Sequence, residues 1–187
     1  MSKACIFLAT GFEETEAIAV IDILRRGRVD VTTISMTDSH AVMGRSRILV
    51  TADKMWEDAQ QRIEEADMLI LPGGQPGVTY LGRHKGLQEV LEKAVKQGQR
   101  ISAICAAPVI LGHLGILKGK KATGYPGTES ELEGAILDPR KEVVKDGHLI
   151  TSRGVGTAVP FALKLVEVLQ SKSVAEEIRR EIVFQYD

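Results

Sequence analysis

Short apolar runs, most of them closed by a glycine or a charged residue, alternate along this chain with longer segments of helical periodicity. Residues 4–10 (ACIFLAT), 30–36 (DVTTISM), 67–74 (DMLILPGG) and 100–105 (RISAIC) read as strands, short and mostly apolar. A shorter strand is expected in 46–53 (SRILVTAD), and a short strand with a turn in 121–127 (KATGYPG). Helices are expected over 13–27, 55–66, 87–98, 106–117, 157–170 and 173–184. The first opens on acids and closes on Arg25, Arg26 and Gly27, which suits a helix dipole and its stop. A hairpin is expected in 142–152 around Asp146-Gly147. Strands and helices of these lengths in alternation imply an α/β fold, with a mainly parallel sheet covered on both faces. Ligands of such sheets bind beyond the carboxyl ends of the strands. Residues 11–16, 72–74 and 105–108 are therefore the stretches where chemistry is expected.

The 187 residues suit a single domain, 1–187, with no internal repeat or linker. Lys and Arg number 24 against 25 Asp and Glu, so charge gives no case for nucleic acid or an anionic membrane as a partner. No stretch approaches the roughly 20 apolar residues of a membrane span, and the N-terminus lacks a signal-peptide pattern. Cys5 and Cys105 both fall in strand-like surroundings, and nothing points to a disulfide framework, so a reducing cytosol is the expected setting.

Cys105 stands between an apolar strand and a helix opening Ala106-Ala107-Pro108. A cysteine there can occupy a nucleophile elbow, its sulfur aimed at helix N-terminal N–H groups that lower a thiol pKa. It can equally be a buried structural cysteine, since free Cys is among the most buried residues. Leu71-Pro72-Gly73-Gly74 ends a second strand, and glycines there either let backbone approach a ligand or simply turn the chain. Glu13, Glu14 and Glu16 suit the first turn of a helix, and one of them could instead turn inward as a general acid/base. His40, His84, His113 and His148 avoid the strand ends, so a thiol–imidazole pair is not expected. No metal-ligand spacing, GxGxxG or P-loop pattern occurs, so neither metal nor nucleotide cofactor is expected. Residues 154–157 (GVGT) read as a turn capping the next helix.

Taken in order, GFEETEA (11–17), LPGG (71–74), AICAAP (103–108) and TSRGVGTA (151–158) resemble the ThiJ/PfpI superfamily, and within it the parkinsonism-associated deglycase, or glyoxalase-III-like, branch in a bacterial-type form. The resemblance implies a flavodoxin-like three-layer sandwich and a homodimer. Carried over, Cys105 looks like the reactive cysteine and Glu16 like its carboxylic partner. Gly74 and Ala106 would supply backbone N–H groups near the sulfur; Arg26 and Arg47 fall where the branch places arginines near the cysteine site or the dimer contact, and Tyr125 is a further accessory position. Tyr125 stands where some relatives have histidine, and with a reference pKa of about 10 it cannot replace imidazole as a base. The protease-like branch has histidine directly after the cysteine; here that residue is Ala106, so peptidase activity is not expected.

The function expected is a cofactor-free thiol enzyme converting 2-oxoaldehydes such as methylglyoxal, or their early adducts, to 2-hydroxy acids. The alternative from another class is an oxidative-stress sensor or redox-regulated chaperone whose Cys105 is oxidised without turnover. A homodimer through the first helix is expected as well, because residues 16–24 are apolar around most of the helix and need cover on more than one side.

Overall fold

The computed structural model describes residues 1–185. Its first half runs β1 (Lys3–Leu8), α1 (Glu14–Arg26), β2 (Asp30–Ser35), β3 (Ala41–Met43), β4 (Leu49–Thr51), β5 (Lys54–Met55), α2 (Gln60–Glu64), β6 (Met68–Leu71), α3 (Gly77–Arg83) and α4 (Lys85–Gln97). Its second half runs β7 (Arg100–Ile104), α5 (Pro108–His113), β8 (Lys121–Ala122), β9 (Ile136–Leu137), β10 (Val143–Asp146), β11 (Leu149–Ser152), α6 (Ala158–Leu169) and α7 (Lys172–Glu181).

β1 sits inside a sheet of order β10-β11-β7-β6-β1-β2-β5, parallel throughout except for the β10–β11 hairpin at one edge. Strand side chains alternate faces, so a strand apolar at every position must be covered on both sides. Ala4, Ile6 and Leu8 join one core, beneath α1, α6 and α7; Cys5 and Phe7 join the other, beneath α2 to α5. The result is the three-layer α/β sandwich that the alternation implied. From β1 the chain steps outward to β2, then returns to place β6 on the other side of β1. This reversal leaves a crevice at the carboxyl ends of β1 and β6, the place where open parallel sheets bind ligands.

Several elements differ from expectation. The helix expected over 55–66 shrinks to α2, because Met55 pairs with Ser35 at the sheet edge and the Trp56 N–H donates to the Ser35 carbonyl. The helix expected over 106–117 stops at His113, before a turn at Gly115 with φ +69°. The strand expected in 46–53 survives as β4, paired with β3 in a separate hairpin, and α3 was not foreseen. The apolarity of α1 has an internal explanation: Ala17, Val20, Ile21 and Leu24 share a core with Phe161, Leu165 and Val166 of α6. Among the described residues no helix is long and apolar enough to cross a membrane.

Candidate functional site

Three strand ends converge. Glu16 follows β1, Gly73 and Gly74 follow β6, and Cys105 follows β7. Cys105 has φ +66°, in the left-handed region that a side chain rarely adopts, so the chain turns sharply there at a cost of order 1–3 kcal/mol. Backbone bonds on both sides hold the strained turn: the Cys105 N–H donates to the Ser152 carbonyl at 3.0 Å, and the Tyr125 N–H donates to the Cys105 carbonyl at 2.7 Å. The backbone N–H groups of Ala106 and Gly74 point at the sulfur.

The three acids of the first turn part company. Glu13 caps α1, its carboxylate accepting from the Glu16 N–H at 2.7 Å. Glu14 reaches the β3–β4 hairpin and accepts from the Ser46 N–H at 2.7 Å. Glu16 is fully buried, one helical turn before Val20 on the face turned into the molecule. Its Oε2 accepts from the Gly73 N–H at 2.9 Å. The carboxyl faces the Cys105 thiol, and each shifts the titration of the other.

Burial pushes the Glu16 carboxyl up to about 7, against the hydrogen bonds from Cys105 and Gly73; Glu13 adds to the rise and Arg45 opposes it. Burial also pushes the Cys105 thiol up to about 12, reinforced by the charge on Glu16 and the hydrogen bond with it. The N–H groups of Ala106 and Gly74 pull the other way without winning. A lowered thiol pKa is thus corrected: desolvation and a carboxylate neighbour outweigh the helix-start N–H groups. The pair releases one proton near neutral pH and holds the second far longer.

This raised carboxyl has a consequence for stability. The folded state holds the Glu16 proton up to about 7 and the unfolded chain only to its ordinary 4.5, so stability is full below that lower value and falls as pH rises through 7. The loss amounts to about 3 kcal/mol at 1.36 kcal/mol per unit. Glu16→Gln removes it. Urea unfolding should therefore show the variant gaining about 3 kcal/mol on the wild type between about pH 4 and pH 8. A difference constant over that range would show that folding does not raise the Glu16 pKa.

Cys105 and Glu16 open on a cavity of about 350 Å³, whose lining includes Glu13, Arg45, Tyr125 and Arg153. Structure thus brings together Cys105, Glu16, Gly74, Ala106 and Tyr125. It does not bring Arg26: that residue ends α1, ~15 Å along the axis from Glu16, and pairs with Asp22 and Glu181. Arg47 does not line the cavity within this chain either; the arginine there is Arg45, two positions earlier in the same loop. Arg45 and Arg153 were not singled out from the sequence, and Gly73 only as part of the Leu71–Gly74 turn. The histidines serve elsewhere: His84 caps α4 and stands edge-on to Trp56, and His40 hydrogen-bonds the Ala52 carbonyl. Cys5 is fully buried on the opposite face of the sheet from the core that Cys105 touches.

Known proteins share this arrangement's sequence and shape. The chain is 37% identical to Protein dj-1beta of Drosophila melanogaster over 190 residues, covering all of both chains. It is 34% identical over 158 residues to a Caenorhabditis elegans protein named Glutathione-independent glyoxalase DJR-1.2, covering 84% of this chain and 83% of that one. The solved structure of oxidized Toxoplasma gondii DJ-1 superposes with a TM-score of 0.94 at 33% identity over the whole of both chains, which gives the sandwich its flavodoxin-like class. With residues 2–168 matching the profile of the DJ-1/PfpI family, this chain belongs to that family.

Proposed function

We propose that this protein is a glutathione-independent, cysteine-dependent enzyme that converts 2-oxoaldehydes to 2-hydroxy acids. The observation that carries the reading is the half-buried Cys105 thiol against the buried Glu16 carboxyl, opening on a cavity: a nucleophile and an acid/base within reach of one small substrate. The glyoxalase name of the C. elegans relative supports it. The Glu16 carboxylate takes the thiol proton as sulfur adds to the aldehyde carbon, C1, then gives that proton to the carbonyl oxygen, leaving a hemithioacetal. The carboxylate next removes the C1 hydrogen and returns it to C2, while the C1 hydroxyl proton passes to the C2 oxygen, so that C1 becomes a thioester carbonyl and C2 a carbinol. Water cleaves the thioester, releasing the 2-hydroxy acid and the thiol. The sum is one aldehyde and one water to one acid, with no external oxidant. The N–H groups of Gly74 and Ala106 are the donors proposed to stabilise charge at sulfur and oxygen.

The pairing bears on the competing reading. A passive redox sensor needs no acid/base partner, whereas Glu16 stands against the thiol, where it can take a proton and return it. The pair holding two protons is inactive, so kcat/KM for lactate formation from methylglyoxal, without glutathione, should rise with pH through about 7. Absence of lactate at every pH would overturn the reading.

A reducing cytosol is the proposed setting, and both cysteines are free. A homodimer is also proposed, now on a narrower basis. Ile18 lies one turn after Glu14, whose carboxylate binds the hairpin that carries exposed Ile48 and Leu49, so the three form an apolar patch unused within the chain. Light scattering should give twice the chain mass, and Ile18→Glu should halve it; a monomeric wild type would remove the dimer.

A further inference from the structure

The cavity in front of Cys105 is larger and more cationic than a small neutral aldehyde requires. At about 350 Å³ it has the volume of roughly a dozen waters, whereas methylglyoxal has five heavy atoms. Its charged lining is Glu13, Glu16, Arg45 and Arg153. Glu13 is committed to capping α1, and Glu16 to Gly73 and the thiol. The guanidinium groups have no such commitment. Among the described residues neither Arg45 nor Arg153 has a side-chain hydrogen bond or ion pair, and Arg45 acts only through its field, which lowers the pKa of Glu16. Arg153 is half-buried, placed by its own N–H donating to Thr157 Oγ1 at 3.2 Å. Two arginines against Glu13 leave one positive charge facing the cavity, before the reacting pair is considered. That surplus matches a single carboxylate; a doubly charged phosphate would overrun it.

We propose that the site selects 2-oxoaldehydes bearing a carboxylate at the far end of the molecule, which Arg45 and Arg153 hold while the aldehyde meets Cys105. This rests on the 2-oxoaldehyde reading above and names its substrate class. A guanidinium fork binds a carboxylate through two parallel N–H···O bonds and so orients it as well as attracts it. The simplest probe is 4,5-dioxopentanoate, which by the same steps takes up one water and gives 2-hydroxyglutarate.

Two measurements test it. The first needs no turnover: alkylation of Cys105 by iodoacetate and by the isosteric but neutral iodoacetamide, followed by peptide mass mapping at low ionic strength. The iodoacetate to iodoacetamide rate ratio should fall at least threefold in Arg45→Met and in Arg153→Met, and about tenfold in the double variant. Arg45→Lys should keep most of the ratio. Arg83→Met, which removes the same charge at the end of α3, should leave it unchanged, and added salt should compress every difference. The second is steady-state kinetics, where KM for 4,5-dioxopentanoate should lie at least tenfold below that for methylglyoxal. The arginine variants should raise the first KM severalfold more than the second. A rate ratio indifferent to both arginines overturns the proposal, whatever the turnover. Turnover of neither aldehyde, with the ratio still set by the arginines, would end the enzyme reading while the anion site stood.

Discussion

Cys105→Ser should form no measurable lactate from methylglyoxal, Glu16→Ala should lose about 10²- to 10⁴-fold in kcat/KM, and Cys5→Ser should stay close to wild type. The first expectation follows from the nucleophile. A serine hydroxyl at the same strained position has the same neighbours but too little acidity to surrender its proton to a carboxyl that titrates near 7. The second is the usual weight of a positioned acid/base, lost together with the proton path between C1 and C2. Because both residues serve one step, the double variant should be no worse than Cys105→Ser alone. The third follows from place. Cys5 is fully buried beneath α2, its thiol directed at the Arg62 carbonyl at 3.6 Å and pushed up to about 12 by burial. A serine hydroxyl can take over that bond, so the cost falls on stability, about 1–2 kcal/mol, and not on turnover. Wild-type rates from Cys105→Ser, with far-UV circular dichroism unchanged, would end the thiol-enzyme reading.

The sequence carried the sheet further than it carried the site. Short continuous apolar runs such as Ala4–Leu8, with Gly11 close behind, read as strands covered on both faces, and that covering implies the parallel sandwich. Local pattern failed where tertiary pairing overruled it: Met55 and Trp56 lie in a helical-looking stretch but bind the β2 edge instead. At the site, Cys105 was legible because a strand-to-helix junction restricts what a side chain there can do. Glu16 was separable from Glu13 and Glu14 only through the resemblance, since any of the three could serve a helix start. Arg45 and Arg153 stayed hidden for a different reason. Their neighbour is a thiol 60 residues from one and 48 from the other, and nothing in local periodicity marks a loop arginine that will meet it. Arg26 and Arg47 came from the resemblance instead, and neither lines the cavity within this chain: Arg26 pairs with Asp22 and with Glu181, 155 residues away.

Gly73→Ala should cost about 10²-fold in kcat/KM and about 1–3 kcal/mol in stability, the largest effect expected of one added methyl group. A Cβ at Gly73 would lie 2.5 Å from Cys105 Cβ and 2.5 Å from Glu16 Oε2, with the sulfur at 3.1 Å. No carbon sits that close to two buried groups, so either the thiol or the carboxyl must move. The backbone there does not demand glycine, since Gly73 is not in the left-handed region. Strain is therefore not part of the effect, and the substitution reads packing between the pair alone. Both groups are anchored: the Gly73 N–H holds Glu16, and the Gly73 carbonyl accepts from the Glu13 N–H at 2.8 Å. Displacing the carboxyl by an ångström opens the proton path, and such misplacement is worth about a hundredfold. Loss of the Gly73 hydrogen bond, one of the terms holding Glu16 down, should also carry the rising limb of the pH profile above 7. Gly82→Ala is the control. It lies within α3, and its new methyl would meet only Ile110 of α5 at an ordinary 3.5 Å, so it should leave activity unchanged and gain up to about 1 kcal/mol from helix propensity. A Gly73→Ala enzyme with wild-type kcat/KM and an unmoved limb would show that Cys105 and Glu16 need not stand as close as they do for the chemistry assigned to them.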